Sequence, residues 1–281
     1  MDTTDSAGPG SDGSHRRVVV TGAASGIGAA LAARLVAAGH EVVGVDRSVE
    51  GVPAGVRPMR CDLTDPAAVG TTVEEIVATG GIDGLSAVAG VPGTAPADVV
   101  YAVNVVGLRR FTDSLTTAIR PGGAVVLLSS MAGYRGTATD DQAADLLSRS
   151  DESLSVELAG LGLAGPEAYQ LSKQLVQHYA LRLAARLHPA GVRALSVSPG
   201  PVVTPILDHF RATMPSLDVA GELVGRHARP EEIAAVVEFA LSPAASWLNG
   251  VDLRVDGGLT ALRLAGTDAA SSQRPAGPRA L

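Results

Sequence analysis

The chain has 281 residues, of which 46% are hydrophobic and 18% charged, a balance that excludes disorder and supplies one substantial buried core. A formal net charge of −7 with scattered arginines excludes a basic nucleic-acid footprint. A single cysteine, Cys61, excludes a disulfide framework or thiolate metal site and fits a reducing, cytoplasmic setting; the six histidines show no ligand spacing, so no metal is expected.

Residues 1–15, rich in Gly, Ser, Asp and Thr, read as a disordered tail without a signal-peptide pattern, and no apolar run is long enough for a bilayer. Val18-Val19-Val20 predicts a buried strand, and Ile27–Ala38 a helix stopped by Gly39. Strands follow at Val42–Val45 and, more weakly, Val56–Arg60. Asp65-Pro66 opens a helix, with Asp as cap and Pro in the first turn. A strand at Leu85–Ala89, a long helix over Asp98–Ile119 and a strand at Val125–Leu128 come next. Glu167–Leu187 predicts a helix ending near Pro189, Val192–Val197 a strand, Glu231–Leu241 a helix entered through Arg229-Pro230, and Val251–Val255 a last strand. Residues 266–281 read as a second disordered tail. Continuously apolar strands alternating with helices predict an α/β, doubly wound domain over 16–265, with a seven-stranded parallel sheet covered on both faces.

The exception is the acidic stretch 134–166, with helical patterns at Gln142–Leu147 and Leu154–Leu158. A connection this long is functional or a tolerated surface insertion. The functional reading makes it a helical flap beside a substrate cleft. Leu146, Leu147, Leu154, Leu158, Leu161 and Leu163 would then pack, and the acidic side chains would face water.

Thr21-Gly22-Ala23-Ala24-Ser25-Gly26-Ile27-Gly28 follows the first strand and opens the first helix. Glycines there allow a tight turn and close approach of a pyrophosphate to free helix N–H groups, although the spacing departs from G-x-G-x-x-G. Asp46 ends the second strand, where a carboxylate accepts ribose hydroxyls and repels a 2′-phosphate; this favours NAD over NADP. Arg47 beside it keeps NADP open. Asp62 could meet the adenine edge or cap a turn. Lys173 is the only lysine in the chain and stands four residues after Tyr169, on one helical face with it. A position that keeps lysine where every other cation is arginine points to a chemical role.

Together the glycine turn, Asp46, Asn104 and Tyr169-x-x-x-Lys173 resemble the short-chain dehydrogenase/reductase family from about Arg17 to Leu262. That resemblance implies a Rossmann fold with Tyr169 as acid/base, Lys173 as its partner, Ser130 orienting substrate, and Asn104 holding a water near the lysine. It assigns the cofactor to Gly22, Ser25, Gly26, Ile27, Gly28, Asp46, Arg47, Asp62, Leu63, Ala89, Gly90, Tyr169, Lys173, Pro199, Gly200, Val202 and Thr204. Taken alone, Ser130 could be a turn residue and Asn104 a structural amide. Two departures stand out: Ala87-Val88-Ala89-Gly90 replaces the usual Asn-Asn-Ala-Gly, and the insertion separates Ser130 from Tyr169.

A similar insertion marks the subgroup of coniferyl-alcohol dehydrogenases and bacterial 3α-hydroxysteroid dehydrogenase/carbonyl reductases. Thr204-Pro205-Ile206-Leu207 and Trp247-Leu248-Asn249-Gly250 also resemble it. The implied substrate is a secondary, aromatic or allylic alcohol or its carbonyl compound. Alternatives are a hydroxysteroid dehydrogenase, a tailoring ketoreductase, or a non-catalytic dinucleotide binder. The family pairs through long helices, so a homodimer or homotetramer is implied, through the Glu231 helix and last strand if the insertion blocks the other surface. Trp247, Met214 and His178 read as structural.

Overall fold

The computed structural model describes residues 15–204 and 216–272, with side chains for 15–204 and 220–265. The expectations for 1–14 and 273–281, for Pro205-Ile206-Leu207 and for Met214 lie outside the described residues. Seven parallel strands form one sheet in the order β3-β2-β1-β4-β5-β6-β7. They are β1 (Arg17–Thr21), β2 (Glu41–Asp46), β3 (Arg57–Arg60), β4 (Ile82–Ala87), β5 (Ile119–Leu128), β6 (Arg193–Pro199) and β7 (Asp252–Val255).

Alternation along the strands divides the core. Val18, Val20, Val126 and Val197 enter one cluster with α1 (Gly26–Ala37) and the helix Pro230–Leu241; Val19, Val43, Val125 and Leu127 enter the other. That second face is covered by α2 (Pro66–Ala78), by α3 (Ala97–Tyr101) and α4 (Leu108–Leu115), and by the long helix Gly165–Leu187. The doubly wound single domain is therefore as expected from the uninterrupted apolar strands. Asp65 Oδ1 accepts from Ala67 N at 2.9 Å and Ala68 N at 3.3 Å, the cap anticipated for α2.

Several boundaries differ. The helix expected over Asp98–Ile119 is four pieces, because Ala102–Gly107 winds as a π-helix between α3 and α4, Thr116–Ala118 is a 3-10 turn, and Ile119 already belongs to β5. β4 ends at Ala87; Val88 and Ala89 leave the ladder and donate to Thr21 Oγ1, both at 3.1 Å. One hydroxyl on β1 thus holds the turn in which the family's two asparagines are absent.

The insertion contains α5 (Asp140–Ser148) and α6 (Asp151–Gly160), and α7 (Gly165–Leu187) follows. Thr139 and Gln142 cap α5 reciprocally, and Ser150 caps α6. Leu154 and Leu158 are fully buried in the core cluster shared with α3 and α7. Asp151 accepts from Arg109 Nε at 3.1 Å and pairs with Arg110 Nε at 2.9 Å, so this acidic side chain ties the insertion to α4 instead of facing water. Val156 and Leu161 are exposed.

Beyond β6 come α8 (Ser216–Val224), α9 (Pro230–Leu241) and α10 (Leu259–Ser272), of which only α9 was anticipated. α10 runs past the boundary expected at 265. Trp247, expected to pack, is 97% exposed.

Candidate active site

The C-terminal ends of parallel strands leave a crevice where neighbouring connections diverge to opposite faces. Here a cleft of about 690 Å³ runs along that edge. Gly22 adopts φ +71°, and a Cβ on Gly28 would stand 2.1 Å from the Gly22 carbonyl oxygen, so no side chain fits. The turn therefore presses onto the first turn of α1, whose N–H groups lack helical partners. Ser25 caps α1 without a side-chain cap bond and lines the cleft.

Every residue expected at the cofactor lines this cleft: Gly22, Ser25, Gly26, Ile27, Gly28, Asp46, Arg47, Asp62, Leu63, Ala89, Gly90, Tyr169, Lys173, Pro199, Gly200, Val202 and Thr204. At the end formed by β2 and β3, Asp46 Oδ2 accepts from Ala24 N at 3.0 Å and Oδ1 from Ser48 N at 3.1 Å. Asp62 Oδ1 accepts from Thr64 N at 2.9 Å and Thr64 Oγ1 at 2.7 Å, bonds that hold its carboxyl below the ordinary value. Asp62 is thus the turn cap of the alternative reading while still lining the cleft.

Ser130, Tyr169 and Lys173 meet where β5 ends against α7. Ser130 Oγ accepts from Ala132 N at 3.1 Å and hydrogen-bonds the Tyr169 side chain. Burial pushes the Tyr169 phenol up to about 12, with the Ser130 bond acting in the opposite direction. Burial pushes the Lys173 ammonium down to about 8. Lys173 Nζ donates to the Leu128 carbonyl at 3.0 Å and lies 5.7 Å from the Tyr169 ring centre. Ser129 Oγ donates back to the Lys173 carbonyl at 2.7 Å, so the strand end and the helix are stitched in both directions.

Asn104 does not line the cleft. It is fully buried in the π-helical segment, its Oδ1 accepting from Val91 N at 2.8 Å and its Nδ2 donating to Val91 O at 3.0 Å. Its carboxamide is engaged with the chain leaving β4. The insertion meets the cleft only at its ends. Tyr134, Arg135 and Pro166 line the cleft at its two ends, but no residue of 136–165 does. Its helices lie beside the site and cover α3 and α7, because their buried leucines face those helices. His178 sits 3.7 Å from Asp140 of α5, away from the cleft.

Cleft residues missed in the sequence include Tyr134, Arg135, Arg254, Leu259, Thr260 and Arg263. A signal existed: a chain leaving the C-terminal end of any parallel strand emerges on the cleft side, and this holds after β7 as after β1.

Residues 16–140 match the family model described as short chain dehydrogenase, and 153–260 match one described as Enoyl-(Acyl carrier protein) reductase. The two matches leave out 141–152, inside the insertion. Among curated relatives, coniferyl-alcohol dehydrogenase of Pseudomonas sp. (strain HR199 / DSM 7063) is 32% identical over 249 residues, covering 87% of this chain and 96% of the relative. Cis-4-hydroxycyclohexanecarboxylate dehydrogenase of Sinomonas cyclohexanicum is 32% identical over 258 residues, covering 88% and 98%. Among solved structures, the 3-alpha-hydroxysteroid dehydrogenase from Pseudomonas sp. B-0831, complexed with NADH, aligns with a TM-score of 0.76 and 34% identity over 89% of this chain and 98% of that one. Similarity at this level spans most of the chain, and on it the chain belongs to the short-chain dehydrogenase/reductase family of oxidoreductases.

Proposed function

We propose that this chain interconverts a bulky secondary, aromatic or allylic alcohol and its carbonyl compound with NAD, using Tyr169 as the acid/base. The observation that carries the reading is the convergence of Ser130, Tyr169 and Lys173 on one cleft with a glycine turn that no side chain could occupy. Such a cradle fits a dinucleotide, which supplies hydride acceptance or donation when bound. Asp46 supports NAD. A carboxylate has about four lone-pair sites, so after Ala24 and Ser48 it retains capacity for ribose hydroxyls, and it repels a phosphate.

With its phenol near 12, Tyr169 is protonated at neutral pH and ready to give its proton to a forming alkoxide. In the oxidative direction it must lose that proton first, and the nearby Lys173 ammonium favours the phenolate. Ser130 donates to the substrate oxygen and holds it against the phenol. Asn104 acts as a positioning residue: it fixes Val91, which forms part of the cleft wall.

The walls around Ser130, including Val91, Met131, Pro166 and Leu259, are largely apolar and favour a bulky substrate. The insertion occupies the α3 and α7 surface. Exposed Trp247 and Phe239, near the end of α9, support pairing of two chains through α9 and β7. The lone buried Cys61 supports a reducing cytoplasmic setting.

The test is cofactor absorbance at the reduced-nicotinamide band with a panel of cyclic and aromatic alcohols and ketones. Turnover should be faster with NAD(H) than NADP(H). No turnover of any member with either cofactor, despite cofactor binding, would favour the non-catalytic reading.

A further inference from the structure

The two ends of the cleft differ in charge. Asp46 and Asp62, with Arg47 between them in sequence, line it at β2 and β3, on one side of the sheet, while Arg135, Arg254 and Arg263 line it at the other. Among the described residues, no acidic residue lines the cleft at this second end. Among the described residues, none of the three arginines has a carboxylate partner within ion-pair distance.

Arg254 is held in place. Its guanidinium lies 3.9 Å from the centre of the Tyr134 ring. Tyr134 OH donates to Asp252 Oδ2 at 2.5 Å, and Asp252 Oδ1 accepts from Ser196 Oγ at 2.6 Å and Ser198 Oγ at 2.9 Å. Asp256, the other nearby carboxylate, accepts from Gly258 N, Thr260 N and Thr260 Oγ1. A hydrogen bond to the Tyr134 side chain does most to raise the Arg254 pKa, and the two acids add to it from nearby, while neutral donors engage their oxygens. A stacked guanidinium keeps a planar edge of N–H donors, the shape that matches a carboxylate in a two-point fork.

The cofactor's own phosphates are not the natural partner. They belong at the N-terminus of α1, beside β1, and β7 stands four strands away, about 19 Å at the usual ~4.8 Å spacing. The arginine end lies instead beyond Ser130 and Tyr134, on the substrate side.

We infer that the cleft selects an alcohol or ketone carrying a carboxylate remote from the reacting carbon, with Arg254 as the forked contact and Arg135 and Arg263 flanking it. The inference rests on the dehydrogenase reading above for the reacting end, and on the arginine geometry alone for the charged end.

The probes are 4-acetylbenzoate and 4-acetylbenzamide, equal in shape and differing in charge. Calorimetric titration of the wild-type protein, with reduced cofactor present, should show the acid binding about tenfold more tightly, with the difference shrinking as salt rises. In Arg254→Gln the acid-over-amide preference should fall about tenfold, and Arg254→Lys should restore part of it. Arg263→Gln, on a different element, should lower the same ratio less. Equal affinity for acid and amide, binding of neither, or an unchanged ratio in both glutamine variants would overturn the inference. Kinetics on the same pair separates the two readings. Preferential binding of the acid, with no turnover of it or of any alcohol or ketone in the panel above, would sink the dehydrogenase and leave the anion site standing. Turnover of both compounds at equal kcat/KM would do the reverse.

Discussion

Ser130 and Tyr169 flank a segment whose middle has a different character from its ends. At the ends, side chains are fixed by the backbone: Ser129 Oγ on the Lys173 carbonyl, Lys173 Nζ on the Leu128 carbonyl, Ser130 Oγ on Ala132 N. In the middle, α5 and α6 are held by buried leucines and by Asp151 on Arg109 and Arg110. The corner spends its contacts on orienting a few polar atoms; the insertion spends them on covering two helices. Nearness in sequence to a reacting group therefore says little about nearness to the reaction. The contrast predicts that substitutions in one region change chemistry and in the other change stability.

The largest effect should come from the corner. Tyr169→Phe should lower kcat by about 10³-fold or more, since general acid–base catalysis contributes ~10²–10⁴. Cofactor should still quench or shift protein fluorescence on binding. Lys173→Arg should also be severely impaired, because a planar guanidinium cannot replace a compact ammonium beside the Leu128 carbonyl. Wild-type turnover in either variant would erase the distinction between the regions.

Leu154→Ala should act in the opposite way. The side chain is fully buried, and its truncation should cost about 2–5 kcal/mol in chemical denaturation while KM stays near the wild-type value. A large change in KM at unchanged stability would return the insertion to the cleft.

Asp46→Ala should change neither maximal rate nor fold as strongly. It should narrow the preference for NAD over NADP about tenfold in kcat/KM, roughly the loss of one charged hydrogen-bonding partner.

The smallest effect concerns pH. The Lys173 ammonium is depressed from 10.5 to about 8 in the folded protein. Between those values the unfolded chain binds the extra proton, so stability rises with pH; below about 8 both states are protonated and burial carries its full penalty. Cys61, whose thiol is raised from 9.0 by burial, opposes this above pH 9. Denaturation midpoints measured without cofactor should rise from pH 8 to 9 in the wild type and stay flat in Lys173→Met. A rise of the same size in the variant would show that another group titrates.

The sheet was legible because buried parallel strands carry uninterrupted Val and Leu runs, and the cradle because glycine marks where backbone must meet backbone. The Tyr169–Lys173 spacing needed only a helix to bring both onto one face. Other features lacked a local signal. The π-helical stretch at Ala102–Gly107 is rich in weak helix formers, three Val, an Asn and a Gly, but composition does not specify i→i+5 bonding, and that altered winding is invisible until the structure shows it. The insertion's leucines announced a buried face, but not which neighbour would cover it. Nothing in the sequence singles out Arg254 or Arg263, which lie on a short strand and an unanticipated helix, and the position of β7 at the sheet edge is what brings Arg254 to the cleft.

Lys173 has one more consequence. The chain holds a single ε-amine, and burial leaves that amine about half deprotonated near pH 8, where other proteins' lysines are still almost wholly charged. An amine-reactive reagent small enough to enter the cleft therefore has one side-chain target, and mass spectrometry of the peptide that carries Lys173 would count occupancy apart from the α-amine. Protection by a dinucleotide would report its binding without a coupled assay, and digestion at lysine would cut the chain at the reacting corner and nowhere else.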